Sequence, residues 1–89
     1  MLSKVITIID EVGIHTRPMV IVVQEATKFK AELMIALENG KQANLKSIMS
    51  AMSLGVQQYQ KVTITAEGID EEEALLAIEN IMREKQLIA

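Results

Sequence analysis

At 89 residues the chain reads as one domain, residues 1–89, with apolar side chains enough to bury a core. A net charge of −3 at pH 7 provides no basic face for general nucleic-acid binding, and the absence of cysteine excludes disulfides and thiolate metal sites. The unbroken apolar runs, Met19–Val23 among them, are far too short to span a membrane.

Met1-Leu2-Ser3-Lys4 runs directly into a β-branched stretch and then into acidic residues, which is not the make-up of a secretion signal. A soluble, cytoplasmic chain is expected. With one Phe, one Tyr and no Trp, its core must be built from Ile, Val, Leu and Met.

Lys4–Ile9 is predicted as the first strand, closed by Asp10-Glu11-Val12-Gly13. From Thr16 to about Lys28 the spacing of Val20, Val23, Ala26 and Thr27 predicts a helix with one buried face. Leu33, Ile35 and Leu37 alternate with Glu32, Met34 and Ala36 as a second strand. Asn39-Gly40 then offers the positive φ of a tight hairpin, leading into a short strand over Lys41–Asn44. A brief helix is expected over Leu45–Leu54, ended by Gly55, and a last strand through Val62, Ile64 and Ala66. Asp70 is a suitable N-cap for a final helix whose first turn holds Glu71, Glu72 and Glu73 and whose inner face holds Ala74, Ile78, Ile81 and Met82. The expected fold class is α+β, a two-layer open-faced sandwich in the order βαββαβα. Four mostly antiparallel strands would carry three helices on one face.

The only histidine lies in Gly13-Ile14-His15-Thr16-Arg17-Pro18, where the strand pattern gives way to the helix pattern. Imidazole is a nucleophile near neutral pH, and the free amides at a helix start favour anions. With His15 as N-cap, the amides of Thr16 and Arg17 would face a phosphoryl group, and the Arg17 guanidinium would bind the same oxygens. Pro18 sets φ early in the helix at little cost. A residue preceding proline avoids helical angles, however, which would move the helix start to Arg17 or Pro18. A lone histidine near a helix start is ordinarily a surface cap or a half-buried polar residue. The surrounding constellation brings the phosphoryl-carrying reading level with that one.

This hexapeptide resembles the active-site signature of HPr, the histidine-containing phosphocarrier family of the bacterial sugar phosphotransferase system. Asn44-Leu45-Lys46-Ser47-Ile48-Met49-Ser50-Ala51-Met52-Ser53-Leu54-Gly55 is similar to the regulatory serine region of the family as found in low-GC Gram-positive bacteria. The resemblance extends over nearly the whole chain. It implies a phosphocarrier and not a stand-alone enzyme, with no cofactor and no metal. His15 would accept a phosphoryl group at Nδ1 from Enzyme I and pass it to a histidine on IIA domains of sugar permeases.

Ser47 alone would be read as a helix cap. The resemblance aligns it with the serine phosphorylated by the ATP-dependent HPr kinase/phosphorylase. Phosphoserine would then repel Enzyme I and attract catabolite control protein A, making the chain a corepressor. Met49 and Met52 are the candidates for an exposed patch, since flexible thioethers suit several partners. With Ile14, Met19 and Ile48 they would frame a docking face beside His15. A monomer that binds no nucleic acid directly and inserts in no membrane is expected.

Three positions depart from the family pattern. Met19 stands where alanine is common, Tyr59 where glycine is frequent, and the second-strand segment is one residue longer. Two other classes are a purely regulatory HPr-like protein acting through Ser47 and an unrelated small α+β binding module. The first is disfavoured by the presence of His15. An RNA-binding form of the second is disfavoured by acidic charge and the lack of stacking aromatics.

Overall fold

The computed structural model describes Met1–Ala89. Its elements are β1 (Leu2–Thr7), α1 (Thr16–Ala26), β2 (Glu32–Leu37), β3 (Gln42–Asn44), α2 (Ile48–Met52), β4 (Lys61–Glu67) and α3 (Glu71–Glu84). The strands form one sheet in the order β1-β4-β2-β3, and every neighbouring pair is antiparallel. β4 therefore inserts between β1 and β2, which run parallel and are joined through α1, as in a split βαβ unit.

The alternation along the strands decides which face the helices cover. Leu33 and Ile35 of β2 and Val62, Ile64 and Ala66 of β4 are buried, while Met34, Ala36, Thr63 and Thr65 lie half-buried on the other, open face. The covered side chains join Ala74, Ile78 and Met82 of α3 and the inner stripe of α1 in one continuous cluster. That cluster is aliphatic: Phe29 only packs on its margin and Tyr59 lies outside it, 72% exposed. The expected α+β open-faced sandwich is the fold observed.

Element limits differ where tertiary partners override local pattern. β1 ends at Thr7 because it pairs with Lys61, the first residue of β4. Ile8 and Ile9 leave the ladder and bond instead to the Gln60 and Leu87 carbonyls, at 3.0 and 2.8 Å. The inner stripe of α1 is Pro18, Met19, Val22, Val23 and Ala26. Of the expected set, Val23 and Ala26 are buried, whereas Val20 is half-buried and Thr27 is exposed beyond the helix end. A run of five apolar residues does not itself select one helical face. α2 is shorter than the expected Leu45–Leu54, because the Leu45 amide extends the sheet by donating to the Leu33 carbonyl at 2.8 Å.

Asp70 precedes α3 at the N-cap position, but its side chain makes no cap bond to that helix. Its two carboxylate oxygens instead accept from the backbone N–H groups of Lys30 and Ala31, both at 2.8 Å, tying the α1–β2 connection to the start of α3. The Lys30 N–H bond is the main reason its carboxyl titrates below the ordinary range, with the Ala31 N–H and Lys46 acting in the same direction against desolvation. Glu71 and Glu79 are also lowered, chiefly by hydrogen bonds from the N-terminal ammonium and from Lys4 respectively. A group that is more acidic in the folded state stabilises the fold above its unfolded pKa and loses that contribution as pH falls through the folded value. Asp70→Asn is therefore expected to lower stability at neutral pH and to flatten its decline in acid. Denaturant titrations at several pH values check this, and an unchanged acid limb would refute it.

Candidate functional site

His15 occupies the N-cap of α1 with extended backbone angles, φ −129° and ψ 168°. Several main-chain bonds fix the loop that delivers it. The Asp10 carbonyl accepts from Gly13 N–H at 2.8 Å, and Asp10 Oδ1 accepts from Val12 N–H at 2.8 Å. Ile14 N–H donates to the Val56 carbonyl at 3.0 Å while the Ile14 side chain is buried, which pins the loop to the segment after α2. Gly13 is held at φ +80° against that segment.

The first bond of the helix runs from Met19 N–H to the His15 carbonyl at 3.2 Å. Pro18 has no N–H, so the amides of Thr16 and Arg17 are the donors that the helix start leaves open. The helix begins at Thr16, earlier than the Arg17–Pro18 preference predicts. Burial of the Pro18 ring and the His15–Met19 bond outweigh the pre-proline restriction.

The His15 ring is partly open to solvent, at 36% exposure, with Nε2 3.3 Å from Asp10 Oδ2. His15, Asp10, Arg17, Pro18, Ile21 and Lys85 line a shallow depression of about 270 Å³. Two cationic side chains thus border the imidazole, Arg17 from the first turn of α1 and Lys85 from the end of α3. An anion there would meet open amides, a helix dipole and both charges. The sequence carried no sign of Asp10, Ile21 or Lys85 as site residues. Asp10 reads as an ordinary turn residue, and Lys85 reaches the site only through the packing of α3 on α1. No group of three or more His, Cys, Asp or Glu side chains is placed to hold a metal ion.

Ser47 is the N-cap of α2, and its Oγ accepts from Ser50 N–H at 3.2 Å. Lys46 is engaged elsewhere, its Nζ donating to the Phe29 carbonyl at 2.7 Å just beyond α1. α2 packs against α1, but Ser47 does not line the His15 depression.

The expected docking face is corrected in two places. Ile14 is buried at 7% exposure, and Met19 at 0% lies inside the core cluster. Both side chains are claimed by packing under α1, so neither is available to a partner. Ile48 and Met52 are half-buried against the core, and Met49 is left as the one fully projecting side chain of α2, 85% exposed. Val12, in the His15 loop, is exposed as well and has no counterpart among the expected docking residues. Tyr59 adopts φ +70°, so it keeps the left-handed geometry that a glycine takes freely, at a cost of about 1 kcal/mol. No helix is long and apolar enough to cross a membrane.

Comparison with known proteins agrees with this arrangement. A family model described as the PTS HPr component phosphorylation site matches residues 2–84. The phosphocarrier protein HPr of Mycoplasma pneumoniae is 51% identical over 79 residues, covering 89% of this chain and 90% of that protein. A solved mycoplasma histidine-containing phosphocarrier protein superposes with a TM-score of 0.94 at 37% identity, covering 98% of each chain. The Bacillus subtilis catabolite repression protein Crh, solved as a swapped dimer, aligns with a TM-score of 0.74 at 36% identity over 98% of this chain and 99% of that one. The Mycoplasma relatives are named phosphocarrier proteins, carriers and not enzymes, and on this evidence the chain belongs to the HPr family of phosphocarrier proteins.

Proposed function

We propose that His15 is the residue that carries the phosphoryl group in this chain, accepting it at Nδ1 from phosphorylated Enzyme I and passing it to IIA domains of sugar permeases. The observation that carries this reading is the placement of the only imidazole at an open helix start, beside Arg17, in a depression reachable from solvent. Thr16 and Arg17 contribute their amides and Arg17 its guanidinium. Pro18, lacking a donor, shapes the wall. A half-exposed site suits a carrier, because a phosphoramidate gripped too strongly would not be handed on.

Incubation with phosphoenolpyruvate and Enzyme I tests this. Acid-labile, base-stable phosphate on the parent and none on His15→Ala is the expected outcome, and phosphate elsewhere would overturn it. Arg17→Ala is expected to slow transfer roughly tenfold, the scale of one charge-assisted hydrogen bond. Because Arg17 is exposed, the melting transition should barely move, by under about 0.5 kcal/mol.

The regulatory reading rests on Ser47, as the substrate of HPr kinase/phosphorylase and the contact for catabolite control protein A. Its Oγ already meets the Ser50 amide at a helix start, so added negative charge is compatible with the fold. What changes is the surface beside Met49, which gains a dianion where Enzyme I would dock. Ser47→Asp should reduce phosphoryl acceptance from Enzyme I by about tenfold without unfolding. Equal rates for the variant and the parent would exclude this control. The chain is read as a single domain acting as a monomer in the cytoplasm. The swapped dimer of Crh makes sedimentation the measurement for that part.

A further inference from the structure

We infer that Asp10 is a positioning residue for His15, holding the imidazole as the Nε2–H tautomer so that Nδ1 presents its lone pair for phosphoryl transfer. This rests on the reading of His15 as the phosphoryl carrier.

Nε2 lies 3.3 Å from Asp10 Oδ2, and an ionised carboxylate only accepts hydrogen bonds. The ring nitrogen facing it must therefore hold the proton, and in the neutral imidazole the other nitrogen, Nδ1, is then unprotonated. A carboxylate that orients a histidine in this way fixes its tautomer and its ring plane together. Asp10 is itself firmly placed. Its other oxygen accepts from Val12 N–H at 2.8 Å, and its carbonyl accepts from Gly13 N–H at 2.8 Å. The side chain thus divides its two oxygens between holding the loop and holding the ring.

In the transfer step, the Nδ1 lone pair forms the new N–P bond as the donor's bond to phosphorus breaks, and that electron pair stays on the donor. Nε2 keeps its proton throughout. The ring becomes more positive as the bond forms, and the carboxylate beside Nε2–H offsets that charge. Arg17 and Lys85, lining the same depression, offset the charge of the phosphoryl oxygens instead. Cations on one side and a carboxylate behind the ring divide the two tasks.

Asp10→Asn separates positioning from loop support. The asparagine carbonyl can still accept from Val12 N–H, while its amide nitrogen, standing where Oδ2 was, can only donate. That reversal favours a bare Nε2 and a protonated Nδ1, the unreactive tautomer. The expected results are a shift of the His15 ring 15N resonances from the Nε2–H to the Nδ1–H pattern, an unchanged melting temperature, and phosphoryl acceptance slowed about tenfold. Asp10→Ala serves as the second variant, removing both bonds, and should show mixed tautomers with a comparable loss of rate.

Parent-like ring resonances or a parent-like rate in Asp10→Asn would overturn the inference while His15 still takes up phosphate. A parent that takes up no phosphate would instead remove the carrier reading, and the positioning role with it. If Asp10→Asn melts low, its tautomer at a temperature where it is folded still decides, since loop loosening alone yields no Nδ1–H pattern.

Discussion

Gly13→Ala is expected to cost about 3 kcal/mol or more, because two independent penalties meet at one atom. At φ +80° any L side chain is strained, by about 1–3 kcal/mol on general grounds. An added Cβ would also overlap the Val56 carbonyl oxygen and lie 2.7 Å from Gln57 Cα, both backbone. That carbonyl cannot swing away without releasing Ile14 N–H, and Ile14 is what anchors the His15 loop to the body. In a chain of this size, such a loss lowers the melting temperature by roughly 10–20 °C. Phosphoryl acceptance should fall further than stability alone predicts, since relief of the overlap displaces the residue two places before His15. Gly55→Ala is the control, with φ +62° but nothing within 4 Å of the new Cβ, and should show only the smaller conformational penalty. Equal effects at the two positions would mean that the Val56 contact yields without cost.

Met19→Ala is expected to destabilise the fold by about 2–5 kcal/mol, the range for emptying a fully buried methionine site. Met19 is wholly inaccessible, one turn from His15 along α1, and packs with Val22, Val23 and Ala26 on the side facing the sheet and α3. The cost within that range depends on how far the surrounding aliphatic cluster can close on the vacated space. Denaturant unfolding measures the loss, and a change under about 1 kcal/mol would show that this core collapses around the gap. At temperatures where the variant is folded, affinity for Enzyme I should stay near that of the parent. A large drop in affinity would restore the docking role that burial denies to Met19.

Why Met19 was misplaced shows the limit of local pattern. Met19–Val23 is apolar throughout, so periodicity offers no preferred face, and the residue's closeness to His15 suggests a surface role. The inner stripe is set by which side of α1 meets the sheet and α3, a fact carried by residues far along the chain. β1 makes the same point. Its β-branched run continues to Ile9, yet the ladder stops at Thr7, where β4 begins. Where the signal was redundant, the expectation matched. Val62, Ile64 and Ala66 alternate with threonines and are buried, and Asn39-Gly40 closes the hairpin between β2 and β3. Asp70 shows a right position with a different bond, because its carboxylate serves Lys30 and Ala31 across the fold and not its own helix.

The amino-acid sequence by itself determined the order of elements, the aliphatic character of the core and the placing of His15, Thr16, Arg17 and Pro18 at the start of α1. All of these follow from composition, short-range periodicity and residues adjacent in the chain. Only the tertiary structure decided which side chains share the depression with His15 and which nominal docking residues remain exposed. Asp10 turns back onto the ring through a tight loop, Lys85 arrives from the end of α3, and Ile14 and Met19 are withdrawn into the core. These outcomes depend on contacts between elements distant in sequence, where burial and hydrogen-bond geometry, not local preference, set each side chain's surroundings.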